Sequence, residues 1–293
     1  MTESKLYFFD SLPLDSKRSS ILIADIFFKD QARYQDFFST FGACYFIEAG
    51  EKAKDYKKLP IYYEELIQLS DTISSPLEIY GMGGGSITDT VGFLAATFKR
   101  GVNLHFIPTT WLCALDSAHG GKNAFNIDSF KNQIGTIYFP KTIYLIKEIL
   151  ENQPLAFASD ALSEALKILL LKEKEFWFKK HQGALNFLQT DLAKLIQYKY
   201  DVVNADPYDQ LRLRFALNLG HTVGHVFELF MGESHGEAIK QGLFFALEWS
   251  AYKKYLDVMT NIDNLGNTVD LIKSKSIKFD EILVDEGQDL SIK

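Results

Sequence analysis

The sequence predicts an α/β half followed by an all-helical half, and three observations carry that prediction. From residue 20 short apolar runs alternate with amphipathic helical patterns, the mark of a mostly parallel sheet with helices packed on it. A glycine run, Gly83–Gly85, follows one of the apolar runs and opens a helical pattern near Ile87. From about residue 157 strand patterning nearly disappears. The segment Asn152–Pro154 is the expected boundary, dividing the chain into regions 1–153 and 154–293.

In chain order, Ser20–Ala24, Ala43–Ile47, Leu77–Tyr80, Asn103–Ile107 and Ile143–Ile146 read as strands, with helical segments at about 30–41, 60–72 and 87–99 between them. Ligands of parallel sheets bind outside the carboxyl ends of the strands. The residues to watch are therefore Asp25, Gly50–Lys54, Gly81–Gly85 and Pro108–Thr110. In the second half, helices are expected over 160–176, 188–205, 211–230 and 236–256. Neither an internal repeat nor a low-complexity segment interrupts the pattern.

Composition narrows the function classes. Of 293 residues 47% are hydrophobic and 24% charged, enough to bury a large core, and a net charge of −7 argues against a general nucleic-acid or anionic-membrane binder. Any phosphate must be held by local clusters. The longest run without Lys, Arg, Asp or Glu, 101–115, is too short and polar to span a bilayer. The opening residues lack the pattern of a secretory leader. Two cysteines, Cys44 and Cys113, without metal-like pairing, suit a reducing cytoplasm.

The chemistry concentrates in a few clusters. Glycines at Gly83, Gly84 and Gly85 let backbone amides approach a pyrophosphate at the positive end of a helix, although a plain tight turn explains them as well. Asp25 could accept hydrogen bonds from a ribose, as could Glu51 and Lys54 after the next strand, and each alone is more often a solvated loop charge. The loop Asp116–Lys122, with its Gly-Gly-Lys turn, and the neighbouring Lys131 and Asn132 could converge on one phosphate or carboxylate, against the alternative of a polar loop with surface lysines.

Glu164 and Lys167 share one face of an apolar helix, where a carboxylate wants a cation. Further on, Arg214, Asn218, His221 and His225 follow steps of four, three and four, so on one continuous helix they form a polar stripe among apolar residues. Half of the six histidines lie here, with His235 opening the next segment. Neutral imidazoles at His221 and His235 with the Glu164 carboxylate would make a three-ligand zinc-type site with an open position. The competing readings are an internally bonded histidine pair and a simple Glu164–Lys167 ion pair on the helix surface. Gly220 and Gly224 would let another element approach the stripe closely.

These motifs, in this order, resemble 3-dehydroquinate synthases. The resemblance rests on Gly83–Phe93, Pro108–Thr110, Asp116–Lys122, Lys131–Gly135, Glu164 with Lys167, Asn218–His225 and His235–Ala238, and covers about residues 20–245. It implies a Rossmann-like NAD-binding α/β domain, an all-α C-terminal metal-binding domain, and an active site in the cleft between them. It also implies conversion of 3-deoxy-D-arabino-heptulosonate 7-phosphate to 3-dehydroquinate and phosphate, a step of the shikimate pathway, with NAD as transient oxidant. Carried over by motif, Glu164, His221 and His235 match the ligands of Zn2+ (or Co2+), and His225 the histidine near the reacting end of the substrate.

Asp116, Lys122, Asn132, Lys167, Arg214 and Asn218 match residues that hold the sugar phosphate, and Lys199 another substrate lysine. Asp25, Glu51, Lys54, Gly83, Gly84, Gly85, Asp89, Thr109, Thr110 and Lys131 match cofactor contacts. Arg100 matches an arginine that reaches the neighbouring subunit's site, which implies a homodimer. The chain departs from the family pattern at Phe27, His119, Asn123, Lys147–Ile149 and Ile168–Leu169, and the late basic residue expected over the phosphate has only Lys275 or Lys278 as candidates. These departures bear on substrate more than on fold. The rival readings are a related sugar-phosphate cyclase, an NAD-dependent metal alcohol dehydrogenase and an inactive homologue.

Overall fold

The computed structural model describes residues 4–74, 76–172 and 184–249. The chain forms two compact units, Met1–Pro154 and Leu155–Lys293.

In the first unit eight strands are described: β1 (Lys5–Phe9), β2 (Lys17–Asp25), β3 (Phe41–Ile47), β4 (Glu78–Gly83), β5 (Asn103–Pro108), β6 (Lys122–Ile127), β7 (Phe130–Ile137) and β8 (Thr142–Ile146). Six of them form one sheet in the order β1-β8-β5-β4-β2-β3. Every pairing in it is parallel. Residues Ser20–Ala24 of β2 are all buried, with no alternation of polar and apolar sides, which is what a central strand covered on both faces requires. The helices of this unit are α1 (Gln35–Phe38), α2 (Leu59–Ser70), α3 (Gly85–Thr97), α4 (Trp111–Leu115) and α5 (Lys147–Glu151).

The parallel register lines up the strand ends. Ala24 pairs with Met82 and Gly83 with Pro108, so the residues after β2, β4 and β5 emerge at one edge of the sheet. Gly81, inside β4, lies where an added Cβ would be 3.1 Å from Val91 and 3.2 Å from Phe106, so α3 packs directly on the strand backbone.

Two local expectations change, and one strand was not foreseen. The helix expected over 30–41 is a 3-10 turn, Ala32–Tyr34, running into the four-residue α1. Its apolar residues instead build an aromatic cluster of Phe28, Tyr34, Phe37, Phe38 and Phe41 against the sheet. The N-terminal segment pairs through β1 with β8 as an edge strand, Lys5 opposite Thr142. The segments read as a Gly-Gly-Lys turn and a polar loop are β6 and β7 of an antiparallel hairpin, Lys122 opposite Ile137 and Ile127 opposite Phe130. Its tip carries Asp128 at φ 51°, a left-handed conformation that Asp tolerates. The hairpin escaped sequence reading because β7 is exposed along much of its length and shows little apolar alternation.

The second unit contains α6 (Leu155–Lys172), α7 (Ala184–Ala205), α8 (His221–Met231) and α9 (His235–Trp249) among its described residues. The helix expected over 211–230 is in fact two elements, a 3-10 segment Leu213–Asn218 and α8, and the stripe on one continuous helix is corrected accordingly. Leu219 is extended and Gly220 sits at φ 83°, so the chain turns before His221. The reason is packing: a Cβ on Gly220 would lie 2.8 Å from the Leu243 amide nitrogen, and one on Gly242 would overlap the Gly220 carbonyl oxygen. A side chain on Gly224 would meet the Ala238 carbonyl oxygen at 2.9 Å, which bears out the close approach expected of Gly220 and Gly224.

The loop before the 3-10 segment is anchored by buried Asp206, whose carboxylate accepts from the amides of Gln210, Leu211 and Leu213. The expected continuation of α9 beyond residue 249, and Lys275 and Lys278, lie outside the described residues. No helix among the described residues is long and apolar enough to cross a membrane.

Because backbone, not a mobile side chain, blocks the space at Gly242, Gly242→Ala should destabilise the second unit by about 1–3 kcal/mol, the usual range for overpacking. Chemical denaturation compared with wild type checks this. An unchanged midpoint would mean that the α8–α9 crossing is looser than described.

Candidate functional site

Glu164 and Lys167 stand one turn apart on α6, only 1% and 2% exposed, and form an ion pair. This is no surface pair. The second Glu164 oxygen, Oε1, lies 3.5 Å from His221 Nε2 and 3.9 Å from His235 Nε2. Oε2 is met by the Lys167 ammonium, while Oε1 has no hydrogen-bond partner. A buried carboxylate oxygen left in that state is costly unless a cation answers it.

One ligand atom from each of Glu164, His221 and His235 falls within 4.8 Å of the others, and the set is one oxygen and two imidazole nitrogens, a donor combination suited to zinc and its neighbours. The residues fit a divalent metal. His225, one turn after His221 on α8, presents an exposed ring 5.5 Å from that of His221 and 6.4 Å from that of His235.

Sequence distance between Glu164 and His235 is bridged by a tight seam. A Cβ on Gly236 would collide with the Asp160 backbone on α6, so only glycine admits α9 at this distance. Ser163 donates to the Gly236 carbonyl at 2.7 Å, and Ser234 donates to Asp160 at 2.6 Å. The Ser234 hydroxyl also accepts from the Glu237 amide, capping α9. His235 is thereby held at the first position of α9, opposite Glu164.

Arg214 is buried and donates from Nη1 to the Pro207 carbonyl at 3.2 Å. Asn218 is exposed at the end of the 3-10 segment, and Lys199 is buried on α7. Since Gly220 breaks the helix, Arg214 and Asn218 do not continue the face of α8 that carries His221 and His225.

In the first unit the edge residues form a second cluster. Buried Lys54 donates to Asp89 Oδ2 at 2.6 Å and to Asn132 Oδ1 at 2.7 Å. Burial pushes the Asp89 carboxyl above the usual range, with the Lys54 ammonium pulling the other way. Asn126 joins the network by donating to Glu51 at 2.7 Å and accepting from the Asn132 amide at 2.8 Å. Asn132 holds φ 56°, a local arrangement that Asn tolerates.

Residues that the sequence analysis divided between cofactor and substrate thus meet in one cluster. The convergence of Lys122 with Lys131 and Asn132 on one anion is not seen. Lys122 pairs with Ile137, five residues along β7 from Asn132, or about 16 Å at the rise of a strand. Asn132 turns to Lys54 instead. Lys122 and Lys131 are both exposed on the hairpin.

The glycine turn behaves as a helix opening. Gly84 precedes the first residue of α3, Gly85, and a Cβ on Gly83 would strike Ile87. The Thr109 amide donates to the Gly83 carbonyl at 3.0 Å, joining two of the expected edge segments, and the Thr110 hydroxyl caps α4 by accepting from the Cys113 amide. Asp25 caps the 3-10 turn after β2, accepting from the Phe27 amide, and Asp116 follows α4. Arg100, exposed at φ 69°, lies after α3, away from these clusters in sequence. Cys44 and Cys113 are free thiols whose pKa burial pushes up to about 11, so neither is a ready nucleophile.

Sequence reading missed Asn126, the seam residues Asp160, Ser163 and Ser234, and Glu228, whose Oε2 lies 3.4 Å from His235 Nδ1. Glu228 could have been found. It follows His221 and His225 by steps of seven and three on the same helix face.

The fold, a parallel α/β unit followed by a helical unit, is shared with solved enzyme structures. A solved structure of 2-deoxy-scyllo-inosose synthase is similar at TM-score 0.75 and 26% identity, over 87% of this chain and 79% of that one. A structure of 2-deoxy-scyllo-inosose synthase with carbaglucose-6-phosphate, NAD+ and Co2+ is similar in fold at TM-score 0.72 and 24% identity, over 87% and 77%.

Residues 44–159 match the family description 3-dehydroquinate synthase N-terminal, and residues 161–286 match 3-dehydroquinate synthase C-terminal. The 3-dehydroquinate synthase of Clostridium beijerinckii is 36% identical over 206 residues, 68% of this chain and 58% of that protein. That of Shewanella sp. (strain MR-4) is 33% identical over 265 residues, 85% and 73%. The chain belongs to the 3-dehydroquinate synthase family. It spans rather less than two thirds of the length of several relatives, 58% and 59% for those of Clostridium beijerinckii and Shewanella frigidimarina.

Replacing Lys54 by Met would leave the half-buried Asp89 without its ammonium partner. The first unit should lose roughly 3 kcal/mol, the scale of breaking a buried pair, and the double variant with Asp89→Asn should recover part of it. Urea unfolding of the three variants measures this, and an additive pair would mean that the ion pair contributes nothing.

Proposed function

We propose that this protein is a 3-dehydroquinate synthase, acting on 3-deoxy-D-arabino-heptulosonate 7-phosphate with NAD and a divalent metal and releasing phosphate. The observation that carries the reading is the buried, poorly satisfied Glu164 carboxylate facing His221 and His235 in a chain whose two halves match the two parts of that family. When bound, NAD accepts and returns a hydride and the metal supplies Lewis acidity, so the overall conversion involves no net redox change.

The chain's own residues then have separable tasks. Lys167 pairs with one oxygen of the buried Glu164 carboxylate and leaves Oε1 facing the two imidazoles. His221 and His235 present Nε2 atoms to the same oxygen. His225, exposed beside them, is placed to move a proton at the reacting end of the substrate. Arg214, Lys199 and Asn218 of the second unit, with Lys122 and Asp116 of the first, are proposed as holding groups for phosphate, carboxylate and hydroxyls. Asp25, Glu51, Lys54, Asp89, Asn132, Lys131, Thr109 and Thr110 lie on segments that follow strands or on the β6–β7 hairpin, and with Gly83–Gly85 opening α3 they are proposed to serve NAD.

A homodimer with Arg100 crossing between copies, and a cytoplasmic setting, complete the proposal. The similarity to 2-deoxy-scyllo-inosose synthase supports a second reading, a cyclase of the same chemistry on another sugar phosphate.

Incubation with NAD, Zn2+ and the heptulosonate phosphate tests the choice. Catalytic release of phosphate without accumulation of NADH is expected, stoichiometric NADH would point to a dehydrogenase, and neither signal would remove the activity. His235→Ala should abolish stoichiometric metal binding and turnover while leaving the fold. Retained zinc with unchanged turnover would sink the metal assignment. Arg214→Ala should lower kcat/KM on the order of tenfold to a thousandfold, with NAD affinity in the absence of substrate unchanged. Loss of NAD binding instead would put Arg214 in another role.

A further inference from the structure

His235 has two ring nitrogens, and the structure gives each a different carboxylate. Nε2 faces Glu164 at 3.9 Å, within the candidate metal set, whereas Nδ1 lies 3.4 Å from Glu228 Oε2. Both carboxylates are shielded, Glu164 at 1% and Glu228 at 26% exposure. An imidazole binds a metal through the nitrogen that carries no proton, so whatever fixes the proton on the other nitrogen also fixes the ligand. Charge points the same way. Lys167 already cancels Glu164, so a dication among Glu164 and two neutral imidazoles would find no net negative charge there.

We propose that Glu228 is a positioning residue for the metal centre: its carboxylate accepts the Nδ1 proton of His235, holds the Nε2 lone pair toward the position shared with Glu164 and His221, and supplies the missing negative charge. The inference rests on the metal-centre reading above and extends it by one residue. Geometry supports a fixed arrangement. Glu228 sits on α8, on the same face as His221 and His225, while His235 is pinned at the start of α9 through Gly236 and Ser234. The helix holding Glu228 therefore also holds His221, and one rigid element sets both the second ligand and the orientation of the first.

The test titrates zinc into the metal-free chain against a chelator for wild type, Glu228→Ala, Glu228→Gln and Glu164→Gln. Glu228→Ala should weaken zinc about tenfold to a hundredfold, the usual cost of losing such a partner. Glu228→Gln, whose amide oxygen can still accept from Nδ1, should recover much of that loss. Nitrogen-15 imidazole spectra of the metal-free protein should show His235 protonated at Nδ1 in wild type and a tautomer mixture in Glu228→Ala, with an unchanged thermal midpoint.

If Glu164→Gln loses zinc but Glu228→Ala binds as wild type does, Glu228 has no such role and the metal centre stands. Wild-type zinc affinity in Glu164→Gln would remove the centre itself, and this inference with it. A second, weaker zinc equivalent lost only in Glu228→Ala would make Glu228 a ligand with His225 and His235, whose donor atoms also cluster within 4.8 Å, and would overturn the positioning role. So would a lowered metal-free midpoint without rescue by Glu228→Gln.

Discussion

The second unit depends on backbone-to-backbone approach at glycine. Gly236 lets the first turn of α9 meet Asp160 of α6, and Gly224 with Gly242 lets α9 cross α8 where any side chain would collide with main chain. Hydrogen bonds from Ser163 and Ser234 hold the seam. Without that approach His235 would stand a side chain's width further from Glu164, and a set of three ligands needs its donors placed to a fraction of an ångström. The left-handed turn at Gly220 belongs to the same constraint, since the chain must bend there to clear Leu243. Packing, more than helix propensity, decides where α8 begins.

Glu164 and Lys167 show why a buried ion pair need not be read as a stabilising one. Desolvating both charges costs several kcal/mol each, and their attraction offsets this only when every remaining lone pair and proton is also satisfied. Here one carboxylate oxygen, Oε1, is left without a hydrogen bond. An apolar pair of similar volume would hold α6 in place with less expense in solvation. That the chain keeps this pair beside two imidazoles is intelligible as positioning of an oxygen ligand, with Lys167 on one oxygen and the imidazoles facing the other. The first unit uses a comparable device at Lys54, Asp89 and Asn132, but there the ammonium has two oxygen partners and Asn126 ties the hairpin to Glu51.

The parallel register of the sheet explains why the edge residues cluster although they are scattered in sequence. Strands that end level deliver their following loops to one side, and hydrogen bonds such as that from Thr109 to Gly83 then join loops that sequence separates. The β6–β7 hairpin adds to this edge from outside the main sheet. It reaches the segment after β3 through Asn126 and Asn132, so two asparagines of the hairpin join it to Glu51 and Lys54.

By itself the sequence determined five of the six strands of the main sheet and the helices α6, α7 and α9, because apolar period and glycine placement are properties of short stretches, and it singled out Glu164, His221 and His235 as a candidate set from the chemistry of imidazole and carboxylate. It also set Glu164 and Lys167 on one face of an apolar helix, but their pairing in the interior, 1% and 2% exposed, was decided by the fold. Only the tertiary structure decided that β1 and the β6–β7 hairpin exist as strands, since β1 against β8 and the exposed β7 against β6 draw their stability from partners that local pattern does not reveal. Only the tertiary structure broke the expected polar stripe at Gly220, for helix continuity there is set by the passage of α9. For the same reason Asn132 was legible as polar but not as the partner of Lys54, and Glu228 as a helix residue but not as the carboxylate behind His235: each role depends on a neighbour that the fold, not the chain, brings near.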